Sequence, residues 1–246
     1  MMEVCIDSVA SAINAEKGGA KRVELCGNLM EGGTTPTVGM LKVIKKKVQI
    51  PVFVMIRPRG GDFLYSDLEM EVMKQDIEEL KQAGADGFVI GILNSDGTVD
   101  KERCSDLISH IRPRPVTFHR AIDMTPDLLS SLEAVISLGC ERVLTSGGEA
   151  TALDGAPVIR QMVDKASDGI IVMPGGGIHE RNLARILQST GVKEFHCSAR
   201  AAEPSAMSFQ KGGVSMGASL SPPEFSVKVT SMPKVKTLTV VAGTIL

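Results

Sequence analysis

No stretch of this 246-residue chain approaches the ~20 consecutive apolar residues that a bilayer-spanning helix requires, which argues against an integral membrane helix. An excess of charge is missing too. The chain carries 27 Lys and Arg against 29 Asp and Glu, a net charge of −2 and a pI near 6.1. Its basic residues are dispersed, which disfavours nucleic acid and anionic membrane surfaces as partners. No secretory leader precedes the first strand-like segment at Met2, so the chain is expected in a reducing compartment. The five cysteines follow no regular spacing, and in that compartment they are free thiols or ligands rather than a disulfide framework. Low-complexity tracts, a methionine-rich metal tract and a second domain are also absent. What remains, 43% hydrophobic and 23% charged, is one ordinary soluble domain with enough apolar surface for a full core.

What the chain does have is a template used four times. Residues 19–26 (GAKRVELC), 84–91 (GADGFVIG), 139–146 (GCERVLTS) and 191–198 (GVKEFHCS) each run from a glycine through a charged residue into a short apolar strand. The intervals are long enough for two strand-plus-helix units each. Four further strands interleave: residues 2–7 (MEVCID), 51–57 (PVFVMIR), 115–119 (PVTFH) and 169–173 (GIIVM). Helical spacing fills the gaps, most clearly from Ser66 to Ala83, with Ser66 and Glu69 as a capping box and Val72, Met73, Ile77 and Leu80 as the apolar face. Eight strands alternating with helices predict a single-domain α/β fold, the (β/α)8 TIM barrel. Residues 1–200 form the barrel core. Residues 201–246 complete the same domain with an arm and a final helix, which Pro233 opens and which carries Leu238, Val241, Ala242 and Ile245 on one side. That helix is expected to pack over the eighth strand. The arm, including Met207 to Phe225, is either a lid over the barrel mouth or a contact with another subunit.

Alternation along each strand assigns the interior. With the apolar phase facing the helices, Glu3, Cys5 and Asp7 point inward from the first strand and Glu24 and Cys26 from the second. Phe53, Met55 and Arg57 point inward from the third, with Arg59 just beyond the strand end. Thr117 and His119 follow from the fifth, Ser146 from the sixth, and His196 and Ser198 from the eighth. Most barrels of this type fill that space with branched apolar side chains. An interior with this many ionisable groups must be internally satisfied, for instance by a Glu24–Arg57 pair, or must hold something.

The loops at the C-terminal strand ends, where this fold carries its active sites, add anion-binding signals. Gly175, Gly176 and Gly177 are expected to run from the seventh strand directly into a helix, Ser198 follows the eighth, and Arg57 and Arg59 offer cationic donors from the opposite wall. His119, near Asp123, is a candidate acid or base. One reading is therefore an enzyme, a lyase, isomerase or hydrolase, acting on a small anionic or phosphorylated substrate held by Arg57, Arg59, Ser146, Gly175 to Gly177, His196 and Ser198, with His119 or Asp7 as acid or base. The thiols support another. Cys5 and Cys26, inward on adjacent strands, are expected about 4–7 Å apart, a separation suited to Cu(I), whereas structural zinc needs four ligands. Cys104, Cys140 and Cys197 read as buried small hydrophobes.

Taken in order, MEVCID, VELC with EGGTTP, MIRPRGGDF, FHRA, LTS, MPGGG and EFHCS closely resemble the CutC copper homeostasis family over essentially the whole chain. The resemblance implies a barrel fold, a homo-oligomer (dimer or tetramer), a cytoplasmic location that extends to the nucleus, and a role in copper tolerance. It also implies copper, as Cu(I), bound by the cysteines that fall at Cys5 and Cys26.

Overall fold

The computed structural model describes residues 1–214 and 224–246. Its element order is β1 (Met2–Ile6), α1 (Val9–Gly18), β2 (Arg22–Leu25), α2 (Val38–Lys45), β3 (Val52–Met55), α3 (Asp67–Gln82), β4 (Gly87–Ile90) and α4 (Lys101–Ile111). The chain continues through β5 (Val116–Phe118), α5 (Leu128–Ser137), β6 (Arg142–Thr145), α6 (Ala156–Ala166), β7 (Ile171–Pro174), α7 (Leu183–Thr190) and β8 (Phe195–Cys197). It ends with β9 (Arg200–Pro204), β10 (Ser226–Thr230) and α8 (Met232–Gly243). Strands β1 to β8 form one parallel sheet in the order β7-β6-β5-β4-β3-β2-β1-β8, a nearly closed (β/α)8 barrel.

The fourfold template has a physical cause at each place. Its glycines, Gly19, Gly84, Gly139 and Gly191, end or immediately follow α1, α3, α5 and α7 with φ between 71° and 104°, the left-handed region that lets a helix stop and its last carbonyls find partners. The charged residue then ties the neighbouring strand: Asp86 Oδ2 accepts the Val52 N–H at 2.8 Å and Glu141 Oε2 accepts the Val116 N–H at 2.7 Å. The strand that follows alternates, with Val23 and Leu25, or Val143, in the layer between sheet and helices. Ser66 and Glu69 do form a capping box at the start of α3.

Three features differ from expectation. The buried face of α3 is Met70, Met73, Ile77 and Leu80, so three of the four expected residues are buried, while Met70 takes the place of Val72, which is exposed. The sheet carries no β7–β8 ladder among the described residues, so the ring is hydrogen-bonded on seven of its eight edges. Helix α8 packs against α1 and α7. The arm opens with an antiparallel hairpin, in which β9 pairs with β10. The rest of its tip, with Gly217 and Pro222-Pro223, lies outside the described residues. No helix among the described residues is long and apolar enough to cross a membrane.

Candidate functional site

The barrel interior is polar from its lower layer upward. Register places Glu3 of β1 beside Arg22 of β2 and His196 of β8. The buried Arg22 guanidinium donates to Glu3 and, at 2.8 Å, to Glu194, and it lies 4.9 Å from the Phe53 ring centroid. Arg142 reaches the same Glu194 oxygen at 2.9 Å and flanks the same ring at 5.5 Å. Neither arginine, nor Glu194, figured among the sequence candidates. The signal was present, since Arg22 stands two residues before Glu24, Arg142 two before Leu144 and Glu194 two before His196, all in the inward phase.

One layer up, Cys5 lies beside Glu24 in the β1–β2 register. The Cys5 thiol, a Glu24 oxygen and a His196 ring nitrogen lie within 4.8 Å of one another. His196 Nδ1 is 2.7 Å from Glu3 Oε1 and Nε2 is 3.6 Å from Glu24 Oε2. Burial works against every charge here. Against that burial, the His196 hydrogen bond and the Arg22 charge hold Glu3 down at about 2. Burial prevails at Glu24 and, with the nearby Glu3 charge, pushes it up to about 7 in spite of His196. His196 is raised well above its ordinary value because Glu24 and Cys5 outweigh burial. Glu24 Oε1 is buried with no partner.

Cys26 stands two residues above Glu24 and donates to Glu24 Oε2 at 3.7 Å, among Phe53, Met55, Val89 and Leu29. Burial and Glu24 push its thiol well above the usual range. Parity thus places both cysteines inward. The group directly abreast of Cys5 is Glu24, with Cys26 one pleat nearer the mouth. Cys104, Cys140 and Cys197 are buried in the layer under the helices, where burial raises their thiols, and all five cysteines are free.

Above these residues a cavity of about 460 Å³ opens at the C-terminal end of the barrel, lined by Cys5, Glu24, Met55, Arg57, His119, His196 and Ser198 as well as Gly176 and Gly177. Arg57 does not pair with Glu24. Its guanidinium donates to the carbonyls of Glu31 (2.7 Å), Gly33 (3.0 Å) and Gly61 (2.9 Å). His119 Nδ1 accepts the Ala121 N–H at 3.1 Å, and burial, helped by the Arg57 charge, lowers its pKa from 6.5 to about 3. It is therefore neutral at pH 7 and does not titrate near neutrality as its residue type suggests. Met173 also faces inward and accepts a bond from Arg22, and Met124 lines the mouth, so Met55 is not alone among the methionines there.

Other candidates are engaged elsewhere. Arg59 turns away to Glu69, Asp62 and three carbonyls and stacks 5.1 Å from Tyr65. Asp7 pairs with Arg200 at 3.0 Å. The Ser146 hydroxyl accepts from Arg120 at 2.7 Å and lies 3.1 Å from Asp123 and 2.5 Å from the Glu149 carbonyl. Gly175 packs under Leu144 and His196, where an added Cβ would come within 2.6 Å of Leu144 Cδ1. Residues 178–182 separate the triple glycine from α7, so the loop does not run straight into a helix. Each acid–base candidate of the enzyme reading is thus held neutral or ion-paired.

Comparison with known proteins agrees with the motifs. The model of the CutC family matches residues 1–201. The chain is 59% identical over 246 residues to a Homo sapiens protein described as a copper homeostasis protein cutC homolog, covering all of this chain and 90% of that one. A Mus musculus relative of the same description is 58% identical with the same coverage. Among solved structures, a CutC protein from Streptococcus agalactiae superposes with a TM-score of 0.76 at 36% identity, over 80% of this chain and 98% of that one.

Proposed function

This chain belongs to the CutC family, named for copper homeostasis, and from that premise we propose that it binds Cu(I) inside the barrel through Cys5 and Cys26, with His196 beside them. The observation that carries the reading is the cluster of Cys5, Glu24 and His196 donors within 4.8 Å at the floor of an open cavity. The donor chemistry fits. Thiolate sulfur suits the soft monovalent ion, as would the imidazole nitrogen of His196 once its Nε2 proton is released to solvent, and Glu24 Oε1 is a buried acceptor without a partner among the described residues.

The chain's own residues supply the protonation chemistry. A thiol must lose its proton to become a ligand. The Cys26 thiol already points at Glu24 Oε2, and Glu24, with a pKa of about 7, is placed to take that proton at neutral pH. His196 keeps its ring fixed through Nδ1 on Glu3, which leaves Nε2 toward Glu24 and Cys5. Leu29 and Met55 pack against Cys26 and limit water at that thiol.

The same reading places the protein in a reducing compartment, cytoplasm or nucleus, where these thiols stay available. It also takes the chain to assemble with copies of itself. The hairpin and arm support this by exposing Met207, Phe209 and Val227. The test is anaerobic competition of the reduced protein with a Cu(I) chelator. About one ion per chain is expected, weakened in Cys5→Ser and in Cys26→Ser, and an unchanged affinity in both variants overturns the reading.

A further inference from the structure

The upper half of the same cavity has chemistry that copper binding does not use. Three cationic groups line the cavity, and two are neutralised. Arg120 pairs with Asp123 at 2.8 Å, and His196 is held between Glu3 and Glu24. Arg57 is the exception. It is 6% exposed, forms no ion pair with any described carboxylate, and spends its Nη donors on three neutral carbonyls. A buried guanidinium without a counter-ion is costly unless something else supplies the charge.

Orphaned donors gather around it. Arg57 Nε is buried without a partner. His119 is 4% exposed, and because its Nδ1 accepts the Ala121 N–H, the neutral ring carries its proton on Nε2, which is also buried without a partner. The two donor residues flank one ring: the Arg57 guanidinium carbon and the His119 centroid each lie 5.1 Å from the Phe63 centroid. Buried polar groups in folded proteins find partners as a rule, so two unmet donors on one cavity wall mark a place where a ligand acceptor fits.

We propose that this half of the cavity binds a small organic monocarboxylate, its carboxylate against Arg57 and His119 and its apolar body among Leu29, Met55, Phe63 and Met124. A single negative charge matches one unpaired cation and one neutral donor. A dianionic phosphate would place its second charge among Glu24, Glu31 and Asp123, which line the same space. The site shares Leu29 and Met55 with the surroundings of Cys26, so it is tested in the copper-free protein.

The experiment titrates copper-free protein with benzoate and 4-methylpentanoate, with inorganic phosphate as the comparison, by calorimetry and by the ¹⁵N shift of His119 Nε2. Saturable carboxylate binding that moves the Nε2 resonance is expected, weakened about tenfold by His119→Phe and by Arg57→Gln. Arg57 also ties three loop carbonyls, so His119→Phe, which keeps an aromatic ring against Phe63, decides the matter if Arg57→Gln does not fold. Preference for phosphate, carboxylate binding indifferent to both variants, or no saturation overturns the proposal.

Discussion

His196 is held between two acids of opposite habit: Glu3, 2.7 Å from Nδ1, stays ionised, whereas Glu24, 3.6 Å from Nε2, has its pKa pushed up to about 7. Glu3 is the hinge of this arrangement because it also neutralises Arg22. Glu3→Gln therefore leaves a buried guanidinium half-compensated and offers one neutral acceptor oxygen where Arg22 and His196 had two charged ones. Unfolding free energy in urea is expected to fall by about 3 kcal/mol or more, as when one partner of a buried ion pair is removed. The His196 pKa, followed by NMR, falls with it. A loss under about 1 kcal/mol with His196 unmoved contradicts the network.

Copper affinity is expected to depend on the two thiols more than on Glu24. Removing a thiol by Cys5→Ser or Cys26→Ser costs more than Glu24→Gln, which removes only the proton acceptor beside the ligands. For Glu24→Gln the expected loss is about 10- to 100-fold. The check is chelator competition at a fixed pH, with Cys104→Ser as a control, since that thiol lies under the helices.

Stability should depend on pH through His119. Its folded pKa, about 3, lies below the ordinary value of 6.5, so between those values the unfolded chain binds the extra proton. The stabilisation is fully present above about pH 6.5 and is lost as pH falls toward 3. In His119→Gln this component vanishes. Urea midpoints of the two proteins, measured from about pH 7 to pH 4, should converge on acidification, and parallel curves would contradict the assignment.

Asp123 is the anchor of the loop after β6. Its carboxylate accepts from Thr145 Oγ1 at 2.5 Å, the Ser146 N–H at 2.9 Å, the Gly148 N–H at 3.2 Å and Arg120 Nε at 2.8 Å. Asp123→Ala orphans these donors and is expected to cost about 3–5 kcal/mol. Hydrogen exchange at residues 146–148 should accelerate more than global unfolding explains, while Asp123→Asn recovers part of the loss.

How far alternation could be read depended on where strands end. For Glu3, Cys5, Glu24, His119 and His196 it gave the correct side, because each sits within or directly after a strand whose pleat fixes direction. For Arg59 and Asp7 it had no authority. Arg59 follows Pro58 outside the strand and is claimed by Glu69, the residue that also caps α3. Asp7 is claimed by Arg200, 193 residues away in sequence. Parity also ranks residues by side and not by height, which is why Cys26 emerged as the neighbour of Cys5 although Glu24 is its register partner. Of the lower charge layer only Glu3 was legible, because Arg22, Arg142 and Glu194 precede the apolar runs and look like turn residues until Phe53 and Met173 are seen between them.

The missing ladder between β7 and β8 gives the cylinder a split like that in a piston ring. Everywhere else its girth is locked by main-chain bonds. Along this line only side chains and the flanking helices hold the lips together, with Gly175 on one lip and His196 on the other. A small spreading there would alter the width of the chamber and the pose of its imidazole together without breaking a single rung of the sheet.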